Sequence, residues 1–137
     1  MAGRVLADTG ALLGLFEPRD QFHRRARRIA EPHLLGGGRF VGTTLILAEL
    51  QNLLLARHGP ERTARAMGTL LTDRSYQWLD GDLALVEESL HRWLERFTDQ
   101  RFTLTDAVSF EVMRRERITH AFAFDQHFVT AGFELLR

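Results

Sequence analysis

The sequence predicts an α/β protein in which parallel strands are covered by helices on both faces. Short apolar runs alternate with longer helical segments along the whole chain, which is typical of folds built around a parallel sheet. The apolar run 121–124 (AFAF) shows no polar alternation, and such a run indicates a strand buried on both sides. We therefore expect a parallel sheet between two layers of helices.

The elements follow from the local residue types. Apolar runs predict strands, segments rich in leucine, alanine and arginine predict helices, and glycine and proline predict the breaks between them. Pro32 with glycines 36–38 marks a loop, and Gly59–Pro60 interrupts a long helix that restarts with proline near its first turn. The predicted strands are 4–7, 40–42, 76–79, 121–124 and 133–136, and the predicted helices are 11–16, 20–30, 45–58, 61–71, 83–97 and 106–115.

Length and composition predict one globular domain over residues 1–137. The chain is 45% hydrophobic and 26% charged, both ordinary values for such a domain. It has no cysteine, which excludes a disulfide framework and thiolate chemistry. Asp8 interrupts the first apolar run, and no apolar stretch approaches membrane-spanning length. We expect a cytoplasmic protein without a membrane segment.

The charge of the chain is balanced, with 18 acidic and 18 basic residues, and every basic residue is an arginine. Net charge therefore does not indicate nucleic-acid binding. Guanidinium groups bind phosphate in a bidentate manner, but exclusive use of arginine is also typical of a GC-rich genome. The dense runs 24–28 and 114–117 are more typical of solvated helix faces than of a dedicated binding groove.

Two of the predicted strands lead into an aspartate. Asp8 follows the run 5–7, and Asp125 follows the run 122–124. Open α/β folds place their sites at the carboxyl ends of parallel strands. If the two strands are neighbours, their carboxylates lie about 5 Å apart, which is one strand spacing. The structural alternative is that each aspartate caps the helix that follows it.

The tripeptide Asp8-Thr9-Gly10 also matches the half-site of an aspartic protease. Those proteases are built from β-strands. Here the tripeptide is followed by an apolar helical segment and then by further long helices. The predicted architecture therefore argues against a protease.

Two further acids lie in unusual helical positions. Glu49 has apolar neighbours one turn before and after it, where an unpaired charge is costly, although it also shares a polar stripe with Asn52 and Arg57. Asp106 opens a predicted helix, a place that the helix dipole alone would favour for an acid. Both acids are candidates for the same cleft as the aspartates that follow the strands.

Four carboxylates in one cleft repel each other, and a cation between them makes such a cluster tolerable. A set of ligands made only of oxygens selects Mg²⁺ or Mn²⁺ rather than zinc, and carboxylate-bound Mg²⁺ is the usual device for phosphoryl transfer. The six histidines show no zinc spacing, and we expect them to be surface or packing residues. The predicted site is thus the acidic quartet Asp8, Glu49, Asp106 and Asp125.

Four blocks of the sequence resemble, in the same order, the signature blocks of PIN-domain ribonucleases. They span nearly the whole chain: 6–12 (LADTGAL), 44–50 (TLILAEL), 104–110 (LTDAVSF) and 123–128 (AFDQHF). The most similar subgroup is the VapC-like toxins of prokaryotic type II toxin–antitoxin pairs. The resemblance implies a three-layer α/β/α sandwich with a five-stranded parallel sheet. It also implies an RNA substrate, Mg²⁺ or Mn²⁺ as cofactor, a homodimer, and a small antitoxin protein as partner.

By position, the resemblance gives the acidic quartet the catalytic and metal-binding roles. Thr9 matches the hydroxyl residue that follows the first acid, and could support the site by a hydrogen bond to a ligand or water, or else cap its helix. Asp99 falls where many members carry a further acid, and is at most a supporting residue. We expect Thr105 to cap its helix and Phe128 to pack in the core.

Three functional hypotheses remain open from the sequence. The leading one is a metal-dependent endoribonuclease that acts as a toxin. A PIN nuclease of housekeeping RNA processing is the second, and a non-catalytic PIN-fold interaction module is the third. The presence of all four acids argues against the third, and the short chain favours the toxin over the second.

Overall fold

The structure is a computed structural model that describes residues 3–137. At its centre is a parallel sheet of five strands, which confirms the predicted sheet. The strands are β1 (Arg4–Ala7), β2 (Arg39–Thr43), β3 (Tyr76–Leu79), β4 (His120–Phe122) and β5 (Glu134–Leu135). Their order across the sheet is β3-β2-β1-β4-β5, so the chain builds outward from β1 in one direction and later returns to its other side.

Helices cover the sheet on both faces, as predicted. Consecutive residues of β1 point to opposite faces, and Val5, Leu6 and Ala7 are all buried. The helices are α1 (Thr9–Phe16), α2 (His23–Leu35), α3 (Thr44–Thr72), α4 (Leu83–Ser89), α5 (Leu104–Glu116) and α6 (His127–Thr130), with a π-helical turn over Leu90–Leu94. Within residues 3–137 we find no helical stretch with the length and hydropathy that a bilayer-spanning segment requires.

Helix α2 begins later and ends later than predicted. The Asp20 carboxylate accepts a hydrogen bond from the Phe22 N–H (3.0 Å), and this local turn delays the helix to His23. Pro32 lies inside the helix rather than in a loop. Proline has no N–H, so the carbonyl of Arg28 receives no helical hydrogen bond from position 32. The helix tolerates this because Arg28 and Pro32 are both exposed and lie near its end.

Gly59 interrupts α3 as predicted, with φ of 77° and ψ of 174°. Glycine adopts this left-handed φ without steric cost, and Pro60 then starts the second helical segment. The predicted helix 83–97 is instead divided into α4 and the π-helical turn, where the Glu95 N–H donates to the carbonyl of Leu90 (3.0 Å).

The core is rich in phenylalanine. Phe40 on β2 stacks on Phe122 of β4 with ring centroids 5.0 Å apart, across the central strand β1. Phe128 is fully buried and meets the edge of Phe110 at 5.1 Å, which confirms its predicted packing role. Aromatic packing therefore links β2 to β4 across β1 and joins α5 to α6.

Glu111, in the middle of α5, is fully buried and was not singled out from the sequence. Its carboxylate accepts hydrogen bonds from Trp93 Nε1 (3.1 Å), Arg114 (2.7 Å) and Arg115 (2.9 Å), and Arg92 lies 3.2 Å away. Burial alone raises the pKa of Glu111, but these donors outweigh it and lower the pKa below its usual value. The carboxylate thus joins the π-helical turn to α5, and the run 114–117 is not simply a solvated face.

We expect Glu111→Gln to lower the free energy of unfolding at pH 7 by about 2–3 kcal/mol, because it leaves clustered guanidinium groups without their counter-charge. This loss of unfolding free energy is smaller than that for breaking a fully buried ion pair, because Arg114 and Arg115 are partly exposed. Since the folded pKa is lowered, this stabilisation is present above pH 4.5, the ordinary value, and is lost as the pH falls through the folded pKa.

Urea unfolding of the wild type, Glu111→Gln and Glu61→Gln at pH 7 and pH 4 tests this. Glu61 forms an exposed ion pair with Arg65, so its substitution should cost less than about 0.5 kcal/mol. Equal effects of the two substitutions at pH 7 would show that the buried cluster does not stabilise the fold.

Candidate active site

The two aspartates that follow strands lie at the same edge of the sheet. Strands β1 and β4 are parallel neighbours with Ala7 opposite Phe122, and the Asp8 N–H donates to the Phe122 carbonyl at 3.0 Å. Continuing this register places Asp8 opposite Ala123, with Asp125 two residues further on. The pair β1–β4 is also where the chain reverses its direction of strand addition, the point at which open α/β sheets form their clefts.

Asp8 is the centre of the acidic cluster and is only 9% exposed. Burial raises its pKa to about 7, with further increases from the charges of Asp125, Asp106 and Glu49, against a lowering by the Thr9 N–H. All three other members of the quartet therefore lie within electrostatic range of Asp8. The structure brings the predicted acids together, although they come from four separate segments of the chain.

Glu49 reaches the cluster from α3 and is held by Thr9. The Thr9 hydroxyl donates to Glu49 Oε1 at 2.8 Å, across 40 residues of sequence. Thr9 is the first residue of α1 and not its cap; Asp8 occupies the cap position, without a side-chain cap hydrogen bond. Capping therefore explains neither side chain, and Thr9 instead orients the carboxylate of Glu49.

Asp106 is held from two sides. Thr103 caps α5 and forms a capping box with Asp106, so the prediction that Thr105 is the cap was wrong; Thr105 lies inside the helix. Asp106 Oδ2 accepts from the Thr103 N–H (3.0 Å) and lies 3.0 Å from His127 Nδ1. His127 also lies 4.0 Å from Asp125 Oδ1. The expectation that all histidines are surface or packing residues was therefore wrong for His127, which contacts the cluster.

Asp125 lies at the open side of the cluster, with its side chain 48% exposed. Its Oδ1 accepts from the His127 N–H at 2.9 Å, which shapes the turn into α6. With Asp8 it lines a small open cleft of about 230 Å³, whose other walls are Gly10, Phe22 and Phe124. The two strand-end acids thus share one cleft that is accessible from solvent.

Asp99 lies apart from this cleft. It is exposed, in the loop between the π-helical turn and α5, and its Oδ2 accepts a hydrogen bond from Gln100 Nε2 at 3.4 Å. Within the part of the chain that the structure describes, we find no hydrogen bond from Asp99 to any of the quartet. We therefore leave Asp99 out of the candidate site, and its supporting role stays a prediction.

The carboxylates keep oxygens free for a ligand. Glu49, Asp106 and Asp125 each use one oxygen for the hydrogen bonds above, and among residues 3–137 we find no protein donor to their second oxygens. In the same range no three His, Asp or Glu side chains are already arranged to enclose an ion. The donor chemistry suits a hard cation, and enclosing one requires these side chains to move closer together.

A five-stranded parallel α/β/α sheet with four acids gathered at its switch point defines a PIN-like protein. No protein-family model matches the chain. The 23S rRNA-specific endonuclease VapC20 of Mycobacterium tuberculosis is 30% identical over 136 residues, which cover 97% of this chain and 98% of the relative. The chain therefore belongs to the family of PIN-domain, VapC-like toxins.

Solved structures agree with this assignment. The crystal structure of M. tuberculosis VapC20, described as a sarcin–ricin loop cleaving toxin, matches with a TM-score of 0.81 at 29% identity, over 94% of this chain and 95% of that one. FitAcB from Neisseria gonorrhoeae matches at 13% identity with a TM-score of 0.65, over 97% and 96% of the two chains. A toxin–antitoxin complex from Klebsiella pneumoniae matches at 15% identity with a TM-score of 0.63 over the same shares. The last two show the shared fold.

We expect Asp8→Asn to stabilise the metal-free protein at alkaline pH. The folded state holds the Asp8 proton more tightly than the unfolded chain does, so this contribution is present at low pH and is lost as the pH rises from 3.8 through about 7. This difference between the unfolded and folded pKa corresponds to at most about 4 kcal/mol of unfolding free energy, and side-chain relaxation reduces that value. In EDTA at pH 8 the variant should therefore melt at a higher temperature than the wild type, with a smaller difference at pH 5.

Thermal melts of the wild type, Asp8→Asn and Asp73→Asn in EDTA at both pH values measure this effect. Asp73 is an exposed aspartate that precedes the amino end of β3, whereas the acidic quartet lies at the carboxyl ends of the strands. Its substitution should not change the melting temperature appreciably at either pH. If Asp8→Asn melts below the wild type at pH 8, the buried charge of Asp8 does not destabilise the metal-free fold.

Proposed function

We propose that this chain is the endoribonuclease toxin of a toxin–antitoxin pair, acting in the cytoplasm as one domain over residues 1–137. The observation that carries the proposal is the convergence of three acids on the buried Asp8 at the switch point of the sheet. Such a concentration of negative charge requires a positive counterpart, and a phosphodiester cannot approach it without one. Membership of the VapC-like family gives the same activity class.

We propose that Mg²⁺ or Mn²⁺ is held by Asp8, Glu49, Asp106 and Asp125. The set offers only oxygen donors, and the pKa of Asp8 is raised first by burial and then by the charges of the other three acids, which a bound cation would offset. When bound, such an ion supplies the Lewis-acid chemistry of phosphodiester hydrolysis, by stabilising charge on the phosphate and promoting the ionisation of water.

The protein itself positions this set. Thr9 binds one oxygen of Glu49, while Thr103 and His127 contact one oxygen of Asp106, so that the second oxygen of each carboxylate is left for a metal ion. Asp8 forms the buried base of the cleft. Asp125 lies at its half-exposed mouth, where an incoming strand of RNA first meets the acids.

The substrate class follows from the relative. VapC20 is 23S rRNA-specific and is described as cleaving the sarcin–ricin loop. Its alignment with this chain, at 30% identity, covers nearly the whole length of both proteins. We propose that this chain also cuts structured ribosomal RNA at an exposed loop. Such loops are the parts of folded RNA whose bases are free of pairing and can be contacted directly.

Purified protein should cleave 23S rRNA in Mg²⁺ or Mn²⁺, and the cleavage should stop in EDTA and return with excess metal. Asp8→Asn and Asp125→Asn should each lower the rate about 100-fold or more, and Thr9→Val about tenfold, because orienting residues contribute less than direct ligands. Asp73→Asn is the matched control and should cleave like the wild type. Sequencing of the RNA ends measures both the rate and the site of cleavage.

Metal binding can be read independently of activity. Mg²⁺ should raise the melting temperature of the wild type by ligand linkage, and that of Asp8→Asn by less. Undiminished cleavage in EDTA, or an equal Mg²⁺-induced shift in both proteins, would exclude the metal site proposed here.

The proposed partner is a small antitoxin protein that covers the acidic cleft. Such a protein can neutralise the carboxylates with an arginine, whose two parallel N–H groups match a carboxylate. Purification from the native host should give an equimolar complex with a small protein that no longer cuts RNA, and Asp125→Asn should weaken this complex. A chain that is isolated without a partner and does not inhibit growth when expressed would contradict this. The predicted homodimer is checked in the same preparation by light scattering.

A further inference from the structure

One wall of the acidic cleft is aromatic. Phe22, just before α2, and Phe124, just after β4, line the cleft together with Asp8 and Asp125. Their ring centroids lie 5.0 Å apart with the planes tilted by 34°. Both side chains are half-buried, so part of each ring faces solvent beside the acids. Phe124 also packs against the core, and the exposed part of the two rings gives the cleft an apolar wall beside its acids.

An arginine lies on this wall. The guanidinium carbon of Arg25 is 4.8 Å from the centroid of the Phe124 ring, which is a cation–π contact. Arg25 is exposed, and among residues 3–137 we find no acidic side chain paired with it, whereas Arg27 on the same helix is paired with Glu31 at 2.7 Å. The ring therefore holds the guanidinium in place while its N–H groups stay available to an anion.

The wall is held rigidly by the protein. Asp20 fixes the Phe22 N–H (3.0 Å), and the Ala26 N–H donates to the Phe22 carbonyl (2.8 Å). A Cβ at Gly14 of α1 would lie 3.4 Å from the Cβ atoms of both Phe22 and Ala26, so the two helices are in close contact at this point. Arg25 is three residues after Phe22 and therefore lies on the same face of α2.

We propose that Phe22, Phe124 and Arg25 form an RNA-positioning platform, in which the rings stack with an unpaired base and Arg25 binds a neighbouring phosphate. The inference rests on the proposed ribonuclease function and names the residues that hold its substrate. Aromatic rings bind single-stranded RNA by stacking because every base has a π face, and a guanidinium binds phosphate through paired N–H groups. A nucleotide held in this way lies directly beside Asp8 and Asp125.

The charge of the platform suits an RNA strand. A phosphate entering the cleft is repelled by the acidic quartet, and a fixed positive charge at the rim offsets this repulsion. The guanidinium held against Phe124 therefore fits an anionic ligand.

The test uses the full chain with Asp8→Asn, which should bind RNA without cutting it, and fluorescein-labelled single-stranded RNA 12-mers of randomised sequence. Fluorescence anisotropy gives the affinity at several salt concentrations. Arg25→Gln should weaken binding about fivefold or more and lower the slope of log affinity against log salt by about 0.7, the value for one phosphate contact on a single strand. Arg24→Gln is the matched control and should weaken binding less than about twofold. Arg24 is the adjacent exposed arginine, and in the described range 3–137 the cation–π contact with Phe124 is made by Arg25.

The stacking half of the platform is tested with Phe124→Leu and Phe124→Trp in the same background. Leucine keeps the apolar bulk but removes the π face, so binding should weaken about tenfold, whereas tryptophan should bind within about twofold of the parent. Melting temperatures within a few degrees of the parent show that the variants are folded. In the otherwise wild-type protein, Arg25→Gln should raise KM for RNA more than it lowers kcat.

The outcomes separate this inference from the proposed function. If wild-type protein cuts rRNA but the platform variants bind RNA like the parent, the platform is wrong and the ribonuclease stands. If Arg24→Gln and Arg25→Gln weaken binding equally, a diffuse positive surface replaces the platform. If the variants keep RNA affinity but lose the antitoxin, the wall is a protein interface and the inference fails. If the wild type cuts no RNA, the proposed function fails, whatever the binding results.

Discussion

The hydrogen bond from the Asp8 N–H to the Phe122 carbonyl closes the parallel ladder between β1 and β4. These strands come from opposite ends of the sequence, and their pairing fills the centre of the sheet. It brings two aspartates to the same edge and buries one of them, so that carboxylates from α3 and α5 complete a cluster around a side chain with little access to water. The chemistry of the cleft therefore follows from strand order more than from any single motif.

The residues that orient the acids also perform ordinary structural tasks. Asp106 is both a member of the cluster and the third helical residue in a capping box, so capping and function are combined at that position. The His127 N–H donates to the Asp125 carboxylate, and this turn positions the His127 ring against Asp106. Thr9 begins α1 and holds Glu49. Helix starts at the carboxyl edge of a parallel sheet thus suit a functional site, because the fold already determines the geometry of the residues there.

The fold class and the acidic quartet could be predicted because their signals are local. An apolar run that ends in aspartate, or a glutamate inside an apolar helix, is visible within a few residues. Some of the contacts that were missed join separate elements. His127 meets Asp106 across 21 residues, and Arg92, in the π-helical turn, meets Glu111 of α5. The delayed start of α2 depends on one side chain, Asp20, which competes locally with the helix.

The two dense arginine runs looked alike in the sequence, and the structure gives them different environments. Arg114 and Arg115 direct their charge inward to Glu111, where it compensates a buried carboxylate and is committed to the fold. Arg25 is held against Phe124, an aromatic ring that lines the acidic cleft, and within residues 3–137 it is paired with no acid. A chain with no net charge can therefore still present a negative centre with a positive rim. Because local fields and not net charge guide a polyanion, the balance of the sequence is no argument against RNA as a ligand.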